Sequence, residues 1–177
     1  MANNSSRTSS WAEYLVVIAI AVALAFFIRT FIAQPFLVDK ESMHPTLLEG
    51  NYIIINKFIY YFSRPKRGDI VVFYSPQEQA HLIKRVIGSE GDKIEILQDG
   101  QVVLNGRLLE EPYASYASYG VDAESGAITL GPGEYFVMGD NRGNSLDSRW
   151  FGPIKESSIK GRAFILLWPF SRLRFLQ

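Results

Sequence analysis

The sequence predicts a mostly β protein: a compact antiparallel, barrel-like β-sheet domain carried behind one N-terminal transmembrane helix. Three observations predict it. An uncharged apolar run lies near the N-terminus; the later apolar stretches are short and rich in Ile, Val, Phe and Tyr; and Gly, Pro, Asn and Asp separate them. At 177 residues there is room for one domain of ordinary size and a short appendage.

The opening "MANNSSRTSS" is small, polar and aperiodic, with nothing to bury, and reads as a flexible tail over residues 1–10. From Tyr14 to Ile28 there is no charge, and "RTFIA" extends the apolar stretch to Ala33 if Arg29 snorkels to the interface. About twenty residues at about 1.5 Å rise cross a hydrocarbon core of about 30 Å, so residues 11–33 are assigned to an anchor. Trp11 and Tyr14 fall where interfacial aromatics belong. A cleaved leader would also place Arg7 before an apolar run and offer Ala23-Leu24-Ala25 as a small-x-small site. That site lies inside the run, however, which continues through Phe26, Phe27 and Ile28. Arg7 on one side against Arg29 and Lys40 on the other leaves the orientation open.

Residues 34–177 read as the β domain. Its apolar stretches are "NYIIINKFIYYF", "GDIVVFYS", "HLIKRVIG", "DKIEILQ", "QVVLNGRLL", "EYFVMGD" and "GRAFILLW". Asp99-Gly100 and Asn105-Gly106 are hairpin signals that place "KIEIL", "QVVL" and "RLL" in a local meander. No helical period of comparable length appears outside the anchor, and no repeat of twenty to fifty residues is visible.

Eighteen basic and eighteen acidic residues cancel, and no basic stripe interleaved with aromatics appears, so no nucleic-acid partner is expected. There are no cysteines and only two histidines, His44 and His81, which excludes thiolate chemistry and points to no metal and no cofactor.

The chemistry centres on "ESMHPTLLEG", just beyond the anchor. Its Ser42 is a weak nucleophile until a base takes the hydroxyl proton. His44 is too local, since bases in serine triads come from elsewhere in the chain, and "ESM" lacks the glycines of a nucleophile elbow. A lysine serves if burial lowers its pKa from about 10.4 toward neutrality, a change worth about 4 kcal/mol. On strand alternation Lys84 shares a face with Leu82 and Val86, and Lys57 shares one with Ile53, Ile55 and Ile59; spacing does not choose between them. "GDNRGNSLDSR", Gly139 to Arg149, concentrates turn formers, hydroxyls and charges beyond what a plain loop needs. It is not a calcium loop, because Arg142 and Phe151 fall at the third and twelfth ligand positions.

In this order, "QPFLVDKESMHPTLLEG", "KRGDIVVF", "LIKRVIGSEGDKI" and "MGDNRGNSLDSRWFG" resemble the four boxes of the type I signal peptidases, the Ser/Lys enzymes that remove signal peptides from exported proteins. The resemblance covers nearly all of the chain beyond the first ten residues. It implies that Ser42 is the nucleophile and Lys84 the general base. Ser145 would hydrogen-bond the Lys84 amine, and Asp147 with Arg149 would form a supporting ion pair. Phe36, Val38, Met43, Leu47, Leu82 and Ile83 match positions that line the clefts for the small side chains before the cut. Signal-peptide-bearing pre-proteins and the lipid bilayer are the implied partners; the sequence leaves the oligomeric state open, with a monomer expected.

Three departures accompany the resemblance. Lys40 stands where some members have a serine that helps the oxyanion hole, leaving the Ser42 N–H as the surest donor. Gly143 replaces a frequent aspartate, and the segment from Asp92 to Gly131 is short, the compact form also seen in organelle versions. Lysine at position 84 resembles the bacterial or organelle type and not the histidine of endoplasmic-reticulum relatives. The family's orientation implies a single-pass protein of the plasma (inner) membrane, or of a thylakoid or organelle membrane, with the β domain on the non-cytoplasmic side. "FLVDKE" is expected to serve as a tether, and Phe36 and the C-terminal "WPFSRLRFL" to dip into the headgroups. The alternative is a tethered β domain that binds exported peptides by strand addition without turnover.

Overall fold

The computed structural model describes residues 9–116 and 126–176; most of the expected N-terminal tail, and part of the short segment between Asp92 and Gly131, lie outside them. An α-helix, α1 (Ser9–Phe27), runs into a π-helical turn at Ile28–Ile32. No Gly or Pro interrupts this stretch, so nothing breaks the helix before the Ala33 N–H closes it on the Ile28 carbonyl. The 22 residues Trp11–Ile32 are long and apolar enough to cross a membrane, and none of them is buried against the rest of the protein.

The chain passes directly from this helix into β1 (Ala33–Leu37), which pairs antiparallel with β2 (Tyr52–Asn56), Ala33 opposite Asn56 and Leu37 opposite Tyr52. The expected tether is therefore partly a paired edge strand, and Phe36 packs half-buried against the core. Strand β2 stops at Asn56, whose side-chain oxygen accepts the Ile59 N–H at 3.1 Å and turns the chain into a 3-10 turn at Phe58–Tyr61. The strand expected through Lys57 and Ile59 does not form, and Lys57 loses the apolar face that alternation assigned to it.

The remaining strands are β3 (Ile70–Ser75), β4 (Ala80–Gly88), β5 (Lys93–Ile96), β6 (Val102–Leu104), β7 (Arg107–Leu108), β8 (Ile128–Thr129), β9 (Glu134–Met138), β10 (Ile154–Lys155), β11 (Ile159–Trp168) and β12 (Arg174–Phe175). One antiparallel sheet runs β1-β2-β11-β3-β4-β9-β10, with β12 also on β11, and a second runs β7-β6-β5-β8. The second sheet contains the expected meander: Asn105 and Gly106 both take positive φ, +52° and +78°, the geometry a two-residue hairpin turn needs.

Three apolar clusters fill the interior. One gathers Val38, Met43, Leu47, Ile53, Ile55 and Ile83 between the serine-bearing turn and strands β2, β11, β3 and β4 of the main sheet. Another lies under the small sheet around Ile94, Val102 and Phe136, and a third sits between β3, β4 and β9 around Phe73, Leu82 and Val137. The seven residues Leu82 to Gly88 of β4 are all buried, so this strand is covered on both faces. It is therefore the place where a lysine is most strongly desolvated.

Candidate active site

Ser42 sits in a 3-10 turn, Glu41–Met43, between β1 and β2. The turn is held by the His44 N–H on the Glu41 carbonyl and the Leu47 N–H on the Met43 carbonyl, both 2.9 Å, while Met43 and Leu47 are buried in the core. Packing on either side of the serine fixes a hydroxyl that remains at the edge of a cleft of about 410 Å³.

Lys84 reaches the same place from β4, where it pairs with Val71 of β3. Its Nζ lies 2.7 Å from Ser42 Oγ, and both residues are buried, 3% and 7% exposed. Burial pulls the Lys84 pKa down from 10.5 to about 8; the Lys40 and Arg149 cations push the same way, while the Asp147 and Asp140 carboxylates oppose them. About a tenth of the amine is thus neutral at pH 7, in hydrogen-bond reach of a hydroxyl.

Beneath the amine, Arg149 donates Nε to Asp147 Oδ1 and Nη2 to Asp147 Oδ2, both at 2.8 Å, and the Gly139 N–H donates to Asp147 Oδ2 at 2.9 Å. Two more buried arginine–carboxylate pairs grip the same loop. Arg85 donates to both oxygens of Asp140, at 2.9 and 2.7 Å, and Arg142 is paired with Glu111 through both terminal nitrogens. Such pairs add little net stability after desolvation, but their forked geometry fixes the loop's position.

The loop is locked to the serine turn by main-chain contacts. The Asn141 N–H donates to the Ser42 carbonyl at 3.1 Å, and a Cβ on Gly139 would collide with that carbonyl and with Ser145 Oγ. Ser145 is not hydrogen-bonded to Lys84 here: its Oγ is buried with no hydrogen-bond partner among the described residues, while the Lys84 amine is directed at Ser42.

A family model described as signal peptidase, peptidase S26, matches residues 11–168. The chain belongs to this signal peptidase family. It is 37% identical to signal peptidase I T of Bacillus subtilis over 95% of this chain and 91% of that protein. It is 36% identical to signal peptidase I of Leptolyngbya laminosa over 97% of this chain and 87% of that one. A crystal structure of a signal peptidase I from Enterococcus faecalis is 34% identical, with a TM-score of 0.46, covering 56% of this chain and 97% of that chain.

As a member of this serine peptidase family, the chain distributes its expected substrate-lining residues unevenly. Phe36, Val38, Met43, Leu47 and Ile83 join one apolar cluster. Leu82 belongs to another, and it lines the cleft beside Ser42 and Lys84 together with Lys40, Glu78, Asn144 and Leu146. Lys57 is elsewhere, its Nζ donating to the Thr30 carbonyl at 2.7 Å. His44 is exposed on the turn, with no imidazole bond to Ser42 among the described residues.

Reading the sequence did not single out Arg85, Asp140, Glu111 or Arg142. The adjacency of Lys84-Arg85 on one strand was the available signal, since alternation sends the two cations to opposite faces, and a buried arginine needs a carboxylate.

Proposed function

We propose that this signal peptidase family member is a membrane-bound serine endopeptidase that removes N-terminal signal peptides from exported pre-proteins after small-x-small motifs. Ser42 attacks the carbonyl after the last small residue. Neutral Lys84 accepts the Ser42 proton and then passes it to the leaving amine, giving an acyl-enzyme. Water, deprotonated by the same amine, releases the acid. The observation that carries this reading is the 2.7 Å approach of a desolvated lysine amine to a buried serine hydroxyl.

The Ser42 N–H is assigned to the oxyanion, a contribution of about a hundredfold or more. The Asp147–Arg149 pair holds the last loop in place under Lys84. Substrate lies as an added strand, with its small side chains turned toward Leu82 and the cluster containing Phe36, Val38, Met43, Leu47 and Ile83. Residues 11–33 are the membrane span and 34–177 the catalytic domain, on the non-cytoplasmic side of a plasma (inner), thylakoid or organelle membrane.

The test uses the full chain in detergent with a radiolabelled pre-protein. Ser42→Ala and Lys84→Ala should each abolish cleavage, and His44→Ala should not. Full turnover by Lys84→Ala would remove the lysine from the mechanism.

A further inference from the structure

A cleft of about 530 Å³ shares no residue with the one beside Ser42; its walls include Lys57, Tyr60, Tyr61, Glu156, Ile159 and Lys160. Its position is set by the anchor. The Lys57 Nζ donates to the carbonyl of Thr30, in the final turn of the apolar segment, and Asn56 beside it pairs with Ala33. If Trp11–Ile32 spans a bilayer, this cleft opens where the chain leaves the hydrocarbon.

The adjoining 3-10 turn carries an apolar face on that side of the domain. Phe58, Tyr61 and Phe62 are 47%, 71% and 77% exposed, and the Phe58 ring packs against both of the others. Aromatic side chains grouped beside a membrane helix belong at the headgroup level.

The charges in the cleft favour an anion. An ammonium has three donors, and the Thr30 carbonyl occupies one donor of Lys57; Lys160 adds a second cation on an exposed position of β11. The one acidic residue in the wall among the described residues is partly offset, because Glu156 accepts from Tyr135 Oη at 3.4 Å and faces Arg64 Nε at 4.0 Å, against the two lysines. Tyr60 Oη donates to Asp69, and Asp69 also faces Arg162, so that carboxylate is likewise taken up.

We propose that this cleft holds the phosphodiester of an anionic membrane phospholipid, with the phosphate between Lys57 and Lys160 and the acyl chains running beside Phe58, Phe62 and the anchor. Two cations in an open cleft hold free phosphate weakly; the acyl chains alongside an apolar helix supply what the headgroup contacts lack. The site lies beyond the peptidase reading and does not depend on turnover at Ser42.

Native mass spectrometry of the full chain in detergent, after exchange with phosphatidylglycerol or phosphatidylcholine of the same acyl length, tests it. Phosphatidylglycerol should be retained at least about fivefold more than phosphatidylcholine. Lys57→Gln/Lys160→Gln should remove the difference, and Lys93→Gln/Arg107→Gln should keep it. Because Lys57 also braces the anchor, Lys160→Glu alone should reproduce most of the loss. Equal retention of the two lipids, or unchanged selectivity in both Lys160 variants, would overturn the proposal. Displacement of phosphatidylglycerol by millimolar inorganic phosphate would overturn the lipid as the occupant.

Discussion

The Asn141 backbone N–H donates to the Ser42 carbonyl at 3.1 Å, so the turn that carries the serine and the loop that supports the lysine are one hydrogen-bonded unit. Gly139 lies against the same carbonyl, and no side chain fits there.

Gly139→Ala should therefore separate the two segments. The expected cost is about 1–3 kcal/mol of stability, the range for overpacking a closed site, with cleavage reduced by on the order of a hundredfold or more. Urea unfolding and pre-protein cleavage measure the two effects; wild-type kcat would show that the contact is dispensable.

The pH dependence follows from Lys84. Only the neutral amine can take the serine proton, so kcat/KM should rise about tenfold per pH unit below its pKa of about 8 and level off above it. Lys40 helps to lower that pKa, so Lys40→Ala should move the rising limb to higher pH. A limb centred near the ordinary lysine value, or one that Lys40→Ala leaves in place, would contradict the assignment.

The same shift has a stability consequence of opposite origin. Between about pH 8 and 10.5 the unfolded chain binds a proton at Lys84 that the folded chain does not, so stability should rise with pH across that window. Below pH 8 the cost of burying the cation is fully present, and Lys84→Met should remove it. Chemical denaturation of both proteins at pH 7 and pH 10 gives the comparison; the wild type should gain more.

Asp147→Ala takes the carboxylate away from the buried Arg149 guanidinium and should cost about 3–5 kcal/mol. Asp147→Leu/Arg149→Met, which removes both charges, should cost less than Asp147→Ala alone. A double-mutant cycle by thermal unfolding checks the order.

Ser145→Ala removes a buried hydroxyl that has no hydrogen-bond partner among the described residues, so Tm should not fall. If the hydroxyl turns to the Lys84 amine once Ser42 is acylated, kcat should drop by about tenfold or more with KM little changed. A lower Tm with unchanged kcat would make the residue purely structural.

The C-terminal rim offers a separate test of membrane contact. Trp168, Phe170 and Phe175 are 49%, 67% and 66% exposed, and the Trp168 and Phe170 rings pack edge to face. In a protein whose other tryptophans, Trp11 and Trp150, are replaced by Phe, the Trp168 emission should shift to the blue on adding lipid vesicles. Unchanged emission would count against docking.

The sequence by itself determined the N-terminal apolar helix, the β class, the meander and the place of the serine box, because each is a local property. A charge-free run, a period of two and an Asn-Gly turn are all written in neighbouring residues. It also offered Ser42 as a candidate nucleophile and two lysines on alternation, of which the family resemblance implied Lys84. Of the two, tertiary structure brings Lys84 and not Lys57 beside Ser42. Asn56 ends β2 before Lys57 can share its apolar face, whereas Lys84 stands on a strand buried on both sides and crosses 42 residues of chain to reach Ser42. The pairing of Arg85 with Asp140 and of Arg142 with Glu111 was legible only in the tertiary structure. A buried ion pair depends on which groups pack together out of water, and sheet order, not sequence distance, settles that.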